Sequence, residues 1–284
     1  MRRWWLIPFL LALGGCNHLI FHPEKGHYPI PEDLGIERQT HFFRTSDDRL
    51  LHGWFIPALE KAQPEQAKGT VFFLHGNAQN ISTHLRAVWW LPHYGYNVFL
   101  FDYRGFGHSQ GEPSLAGLHR DVPAALDYLF SELPIDPDRV VIYGQSLGAS
   151  LGVTAAPRSD HFNQVRAVML EGAFTSYRQV AREALGNWWL TWALQWPLSY
   201  TISDQFRPID HIGAISPIPL LIIQGADDRV IAAHHSQDLF TAAREPKQRW
   251  VVEQAGHNNA LAGETARQKF LDYLSGITEK PQQK

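Results

Sequence analysis

Gly144-Gln145-Ser146-Leu147-Gly148 sets a serine between two glycines where the flanking residues change from strand-forming to helix-forming. Arg139-Val140-Val141-Ile142-Tyr143 before it is a β-branched and aromatic run that predicts a buried parallel strand. Ala149 to Ala156 after it are small residues, suited to a helix lying close against a sheet. Strand, G-x-S-x-G and helix together make a nucleophile elbow, whose glycines permit a sharp turn that lifts the hydroxyl clear of the sheet. A serine at such a junction is also a good helix N-cap, but capping has no need of two glycines.

A serine hydroxyl is a poor nucleophile at neutral pH and needs an adjacent base, itself oriented by an acid. In the hydrolytic arrangement the acid follows the serine in the chain, and the histidine comes last. Pro219 to Gln224 is a second buried-strand pattern and runs into Gly225-Ala226-Asp227-Asp228. Trp250 to Glu253 is a third and runs into Ala255-Gly256-His257. An acid, either Asp227 or Asp228, and a histidine thus stand just past the carboxyl ends of strands, where open α/β sheets place their chemistry. Acyl transfer also needs donors for the oxyanion of its tetrahedral intermediate. Thr70 to Leu74 is a strand, and His75-Gly76-Asn77-Ala78 turns out of it.

With that turn, and with Phe101-Asp102-Tyr103-Arg104-Gly105-Phe106-Gly107, the elbow, Gly225 to Ile231 and Gly256-His257 in order, the chain resembles the α/β-hydrolase superfamily. The resemblance is to its serine-esterase and serine-aminopeptidase-like members, over roughly residues 38–276. It implies the backbone N–H groups of Asn77 and Leu147 as oxyanion donors, and Asp228 rather than Asp227 as the acid. It also implies a mostly parallel sheet of the eight-stranded type, with helices on both faces and a helical cap insertion at about 175–215.

The coarse order of elements agrees. His41–Thr45 and Leu50–Pro57 predict a hairpin about Asp47-Asp48, followed by strands at 70–74, 96–102, 139–143, 164–170, 220–224 and 249–253. Helices are predicted at 82–94, 115–131 and 264–275, and strands alternating with helices imply a sheet covered on both faces. His75 reads as a structural residue of the oxyanion turn, and Asp102 with Arg104 as an ion pair stapling a loop. His234-His235 reads as a surface pair without the spacing or companions of a metal site. Between Leu170 and Pro219 the alternation stops, at the place where hydrolases often carry a cap. Trp188, Trp189, Trp192 and Trp196 fall there, and Asn187, Thr191 and Gln195 recur as a polar stripe on an otherwise apolar predicted helix. The tryptophans then have three readings: core packing, a roof over an acyl group, or contact with a membrane.

The amino terminus carries a second message. Arg2-Arg3 precedes the apolar run Trp4–Leu13, which is too short to span a bilayer and closes on Gly14-Gly15-Cys16. That is the layout of a secretory signal peptide over residues 1–15. Leu13-Gly14-Gly15-Cys16 resembles the bacterial lipobox, in which the cysteine is lipidated and becomes the first mature residue. Cys16 is the only cysteine in 284 residues, so no intramolecular disulfide forms. Asn17 rather than aspartate follows it, and by resemblance to the sorting rule of Gram-negative lipoproteins this favours the outer membrane. The expected organisation is a lipidated arm at 16–37, a catalytic domain at 38–276 and a tail at 277–284.

The full chain carries 25 basic and 28 acidic residues, and loss of residues 1–15 takes the net charge from −3 to −5. That balance offers no footprint for nucleic acid. The expectation is a lipid-anchored serine hydrolase with Ser146, His257 and Asp228 as its triad, acting on a small-molecule or lipid acyl ester without metal or organic cofactor. A serine peptidase or thioesterase would use the same groups. A non-catalytic binding protein on the same fold is the reading from a different class.

Overall fold

The computed structural model describes residues 21–59, 63–186 and 189–279. The expected signal peptide and Cys16, and also Asn187 and Trp188, lie outside the described residues. The strands are β1 (His22–Pro23), β2 (Gln39–Arg44), β3 (Leu50–Ile56), β4 (Gly69–Leu74), β5 (Ala78–Gln79), β6 (Tyr96–Asp102), β7 (Val140–Gln145), β8 (Ala167–Glu171), β9 (Leu220–Gly225) and β10 (Lys247–Val252). The longer helices are α1 (Leu115–Glu132), α2 (Leu147–Thr154), α3 (Tyr177–Gly186), α4 (Ala233–Ala242) and α5 (Glu264–Thr278). Eight strands form one sheet in the order β10-β9-β8-β7-β4-β6-β3-β2, in which β3 runs against the others. This is the α/β-hydrolase fold.

The sheet is central because its strands are apolar on both faces. Along β4, Phe72 and Leu74 point into one layer and Val71 and Phe73 into the other, and β7 divides Val140 and Ile142 from Val141 and Tyr143 in the same way. The first layer is closed by α1, α2 and α4 through Leu118, Val122, Leu151 and Leu239. The second is closed by α5 through Phe270 and Leu274, and by the turns around Ile81, Leu85 and Trp90. Parallel register sets Leu74 beside Gly144, so β4 and β7 end together.

Three expectations need correction. The predicted helix over 82–94 is instead a helical turn, Ile81–His84, followed by 3-10 turns at Leu85–Ala87 and Leu91–Tyr94. Pro92 has no N–H and its ring would collide with the Val88 carbonyl, so an α-helix cannot run on through it to Tyr94. The last helix runs on to Thr278, whose buried side chain hydroxyl donates to Leu274 O at 3.0 Å. Asp102 and Arg104 do not pair with each other. Asp102 accepts from His27 Nε2 at 2.7 Å and His52 Nδ1 at 3.0 Å. Arg104 reaches Asp121 through Nε at 2.9 Å and Nη2 at 2.7 Å, and grips both oxygens of Asp47 at 2.9 and 3.0 Å. Arg104 therefore ties the hairpin after β2 to α1, and its hydrogen bonds hold the Asp47 carboxyl well below the usual carboxylate range.

The Arg104 and Asp121 side chains are 7% and 0% exposed, so breaking the pair strands a buried charge. Arg104→Met should cost about 3–5 kcal/mol and lower the melting temperature by roughly 5–15 °C. Arg104→Met combined with Asp121→Leu should recover much of that loss. Thermal melts of parent, single and double variants check it, and a single variant that melts with the parent refutes it.

Candidate active site

Ser146 stands between β7 and α2 at φ 52° and ψ −112°, a backbone conformation that few non-glycine residues adopt. Its N–H donates to Glu171 O at 2.9 Å, which pins the turn to the end of β8. Its side chain makes no capping bond to α2. The glycines on either side are required by space. A Cβ at Gly148 would strike the carbonyls of Leu74 and His75, and one at Gly144 would lie 2.5 Å from Gly148 O. The capping alternative explains none of this.

The other two candidates meet in space. His257 Nδ1 lies 2.8 Å from Asp228 Oδ2, and the other Asp228 oxygen accepts from the amides of Val230 and Ile231, both at 2.8 Å. Burial raises the Asp228 carboxyl, but the bond from His257 and those two amides outweigh it and hold it below the usual carboxylate value. The carboxylate side chain is 1% exposed, whereas Asp227 is an exposed residue whose amide closes the turn onto Ala255 O at 2.9 Å. Of the two aspartates, the fold brings Asp228 to the histidine. Asn77 and Leu147 line the same space as Ser146 and His257, a cavity of about 390 Å³. Leu147 is the first residue of α2, where backbone N–H groups have no carbonyl partner within the helix. The cavity wall is mostly apolar, with Phe21, Phe174, Tyr177, Val180, Ile202 and Ile231.

Supporting residues escaped the sequence reading. Glu171, buried at the end of β8, receives hydrogen bonds from Tyr143 Oη, from Gln145 Nε2 at 2.8 Å and from the Ala260 amide at 2.7 Å. One carboxylate thus joins the elbow strand to the loop that carries His257. The apolar run Val168-Met169-Leu170 hid it, because the predicted strand stopped one residue short. His75 is buried and its ring is pushed down to about 3, by burial first and the neighbouring His84 second; it donates Nδ1–H to Gly76 O at 2.8 Å and stacks on Tyr103. His235 is fully buried rather than on the surface, meeting Thr175 Oγ1 at 2.9 Å and Glu183 Oε2 at 3.0 Å. Its place one turn before the buried Leu239 on α4 is the signal that could have shown this. Among the described residues two groups, His27, His52 and His108, and Glu183, His234 and His235, could each offer three metal-ligating atoms within 4.8 Å of one another. The fold therefore gives His234-His235 the acidic companion that sequence spacing did not.

The segment beyond β8 also differs from expectation. The helix does not continue through the tryptophans: α3 ends at Gly186, and a 3-10 turn at Trp192–Leu194 leads into a short helix, Gln195–Ser199. Thr191 Oγ1 donates back to Leu185 O at 2.6 Å, and a Cβ at Gly186 would lie 2.8 Å from Gln195 Oε1. These two polar side chains therefore fold onto the end of α3 and form no stripe. Trp189, Trp192 and Trp196 are 83%, 63% and 54% exposed, so core packing does not describe them.

Residues 65–208 match the hydrolase family described as serine aminopeptidase, S33. The chain belongs to this family. This S33-type hydrolase is 35% identical over 267 residues to the uncharacterized protein YfhR of Salmonella typhi, covering 91% of this chain and 86% of that protein. It is 34% identical over 230 residues to the alpha/beta hydrolase domain-containing protein WAV2 of Arabidopsis thaliana, covering 78% and 72%. Among solved structures it is similar to the Pyrococcus furiosus esterase Pf2001, with a TM-score of 0.71, 20% identity and coverage of 92% and 97%. It is also similar to a Mycobacterium tuberculosis puromycin-hydrolyzing peptidase, with a TM-score of 0.68, 19% identity and coverage of 89% and 41%. At such identity these two structures share the fold.

A carboxyl held below its unfolded value stabilises the fold above about pH 4 and loses that contribution as pH falls through the folded value. Asp228→Asn should therefore melt below the parent at pH 7, with the gap closing below roughly pH 4. Calorimetry across that range checks it, and a gap that stays constant to low pH would contradict it.

Proposed function

We propose that this S33-type hydrolase cleaves carboxylic esters through an acyl-enzyme. The observation that carries the proposal is the Asp228–His257 pair at 2.8 Å, opening with Ser146 into one mostly apolar cavity. The His257 Nδ1–H donates to Asp228, which leaves Nε2 to take the proton of Ser146 as its oxygen attacks the acyl carbon. The developing oxyanion is met by the amides of Asn77 and Leu147, the latter at the positive end of α2. His257 then returns the proton to the leaving alcohol, and in the second half-reaction it activates water against the ester of Ser146.

A peptidase is the second reading, favoured by the family description. An aminopeptidase must hold the positive α-amine of its substrate, and among the described residues no carboxylate lines this cavity. The apolar wall suits an acyl chain, each buried methylene contributing about 0.8 kcal/mol. We also propose that Cys16 is lipidated after removal of residues 1–15 and anchors the domain to the bacterial cell envelope, with Asn17 favouring the outer membrane.

A fluorophosphonate probe should label the native protein, and Ser146→Ala should abolish labelling without unfolding it. Asp228→Asn should cost orders of magnitude in turnover and Asp227→Asn little. Efficiency on esters should climb by up to about fourfold per added methylene until the cavity is full. Undiminished labelling of the serine variant would overturn the mechanism, and preference for aminopeptidase substrates would transfer the activity to the second reading.

Wild-type protein made with labelled palmitate should carry the label, and Cys16→Ala should lose both label and processing. Absence of label in the wild type would refute the anchor.

A further inference from the structure

The chain between α3 and Ile202 puts its large apolar side chains into solvent. Besides the three tryptophans, Leu190, Leu198 and Tyr200 are exposed along the same short stretch. Other exposed large apolar residues, such as Phe42 on β2 and Val251 on β10, are scattered over other elements. A contiguous patch of this kind marks a contact surface.

Three observations say what meets it. First, the patch is built with cations: the Arg182 guanidinium lies 4.4 Å over the Trp196 ring and that of Arg178 5.2 Å over Tyr200. Tryptophan, tyrosine and arginine on one face make the composition of a membrane–water interface, where indoles sit at headgroup depth and guanidinium groups meet anionic lipid. Second, the residues that flank this stretch on either side wall the cavity. Val180, Ala181 and Ile202 line it, and Val230, also exposed, stands at its rim. Third, the amino-terminal arm enters at this cavity: Phe21 is buried and forms part of its wall. Cys16 is five residues upstream, so at about 3.6 Å per residue no more than roughly 18 Å of chain separates it from the wall.

We propose that the face carrying Trp189, Trp192, Trp196 and Leu198 docks on the lipid bilayer, and that the cavity receives its acyl substrate from that bilayer. The inference rests on the acyl-ester and anchor readings above and adds an orientation to them. A tether this short holds the cavity mouth near the lipid surface, and the tryptophans fix which face turns toward it. Acyl chains then pass from the bilayer along the α3 wall to Ser146 without crossing water.

The experiment uses the full chain reconstituted into vesicles of phosphatidylethanolamine and anionic phosphatidylglycerol, with and without bromine-labelled phospholipid as a contact quencher. The lipidated protein should float with the vesicles and lose up to about three-eighths of its tryptophan emission to bromolipid, the share of three among the eight tryptophans left after removal of residues 1–15. The triple variant Trp189→Ala/Trp192→Ala/Trp196→Ala should float equally, because the anchor is intact, and should lose most of that quenching. It should also cleave a bilayer-resident long-chain ester about tenfold more slowly, as expected when interfacial indoles are removed. Its cleavage of a dissolved short ester and its melting temperature should match the parent, since the three side chains lie outside the cavity. Equal quenching in parent and variant overturns the orientation while leaving the anchor standing. A parent that does not float overturns the docking together with the anchor. A parent that sediments as a dimer, with the tryptophans unquenched, assigns the face to a second copy instead. Fluorophosphonate labelling of Ser146 in each preparation reports separately on the hydrolase reading.

Discussion

The site depends on one close contact, that of Gly148 with the end of β4. Its Cα leaves no room for a side chain against the Leu74 and His75 carbonyls, and this brings α2 down onto the sheet edge. Because β4 and β7 end in register at Leu74 and Gly144, the contact sets the elbow beside the His75-Gly76-Asn77 turn. Serine and both proposed oxyanion donors then share one cavity. The positive φ of Ser146 is held by that contact and by the bond from its amide to Glu171. A strained residue of this kind persists only where its surroundings over-determine it.

Much of this was legible in the chain because its signals were local. Strands β4, β6, β7, β8 and β9 are fully buried and mostly apolar, as a sheet covered on both faces demands, and chemistry at their carboxyl ends follows from the fold class. Choosing Asp228 over Asp227 needed the family resemblance, since both are good turn residues; their separation shows only when His257 arrives from another strand. What stayed hidden is long-range pairing. Asp102 and Arg104, two residues apart, each found partners far along the chain, in His27 and His52 for one and Asp47 and Asp121 for the other. Glu171 was masked by an apolar run, and the helical stripe about Thr191 failed because Gly186 ends the helix.

The arm is held more firmly than its prolines suggest. β1 pairs with β5 just beyond the His75-Gly76-Asn77 turn, with the His22 amide donating to Asn77 O at 3.2 Å. Lys25 Nζ reaches Ser109 O at 3.0 Å and His27 meets the buried Asp102, whose carboxyl is held well below the usual range against the cost of burial by the histidine bonds. These bonds, together with those from the Glu24 amide to Gln79 O at 3.1 Å and from Asn80 Nδ2 to Gly26 O at 2.6 Å, fix the arm beyond Phe21, so any pull on the amino terminus is delivered at the rim of the site.

All eight residues of α2 are buried, and Gly144 and Gly148 admit no side chain. The cavity wall at Phe174, Tyr177, Val180, Ala181 and Ile202, by contrast, lies on α3 and on residues flanking it, none of them in a strand of the sheet. A side chain added at either glycine would have to be absorbed by the sheet itself, whereas a change along the wall reshapes the cavity without disturbing a strand pairing.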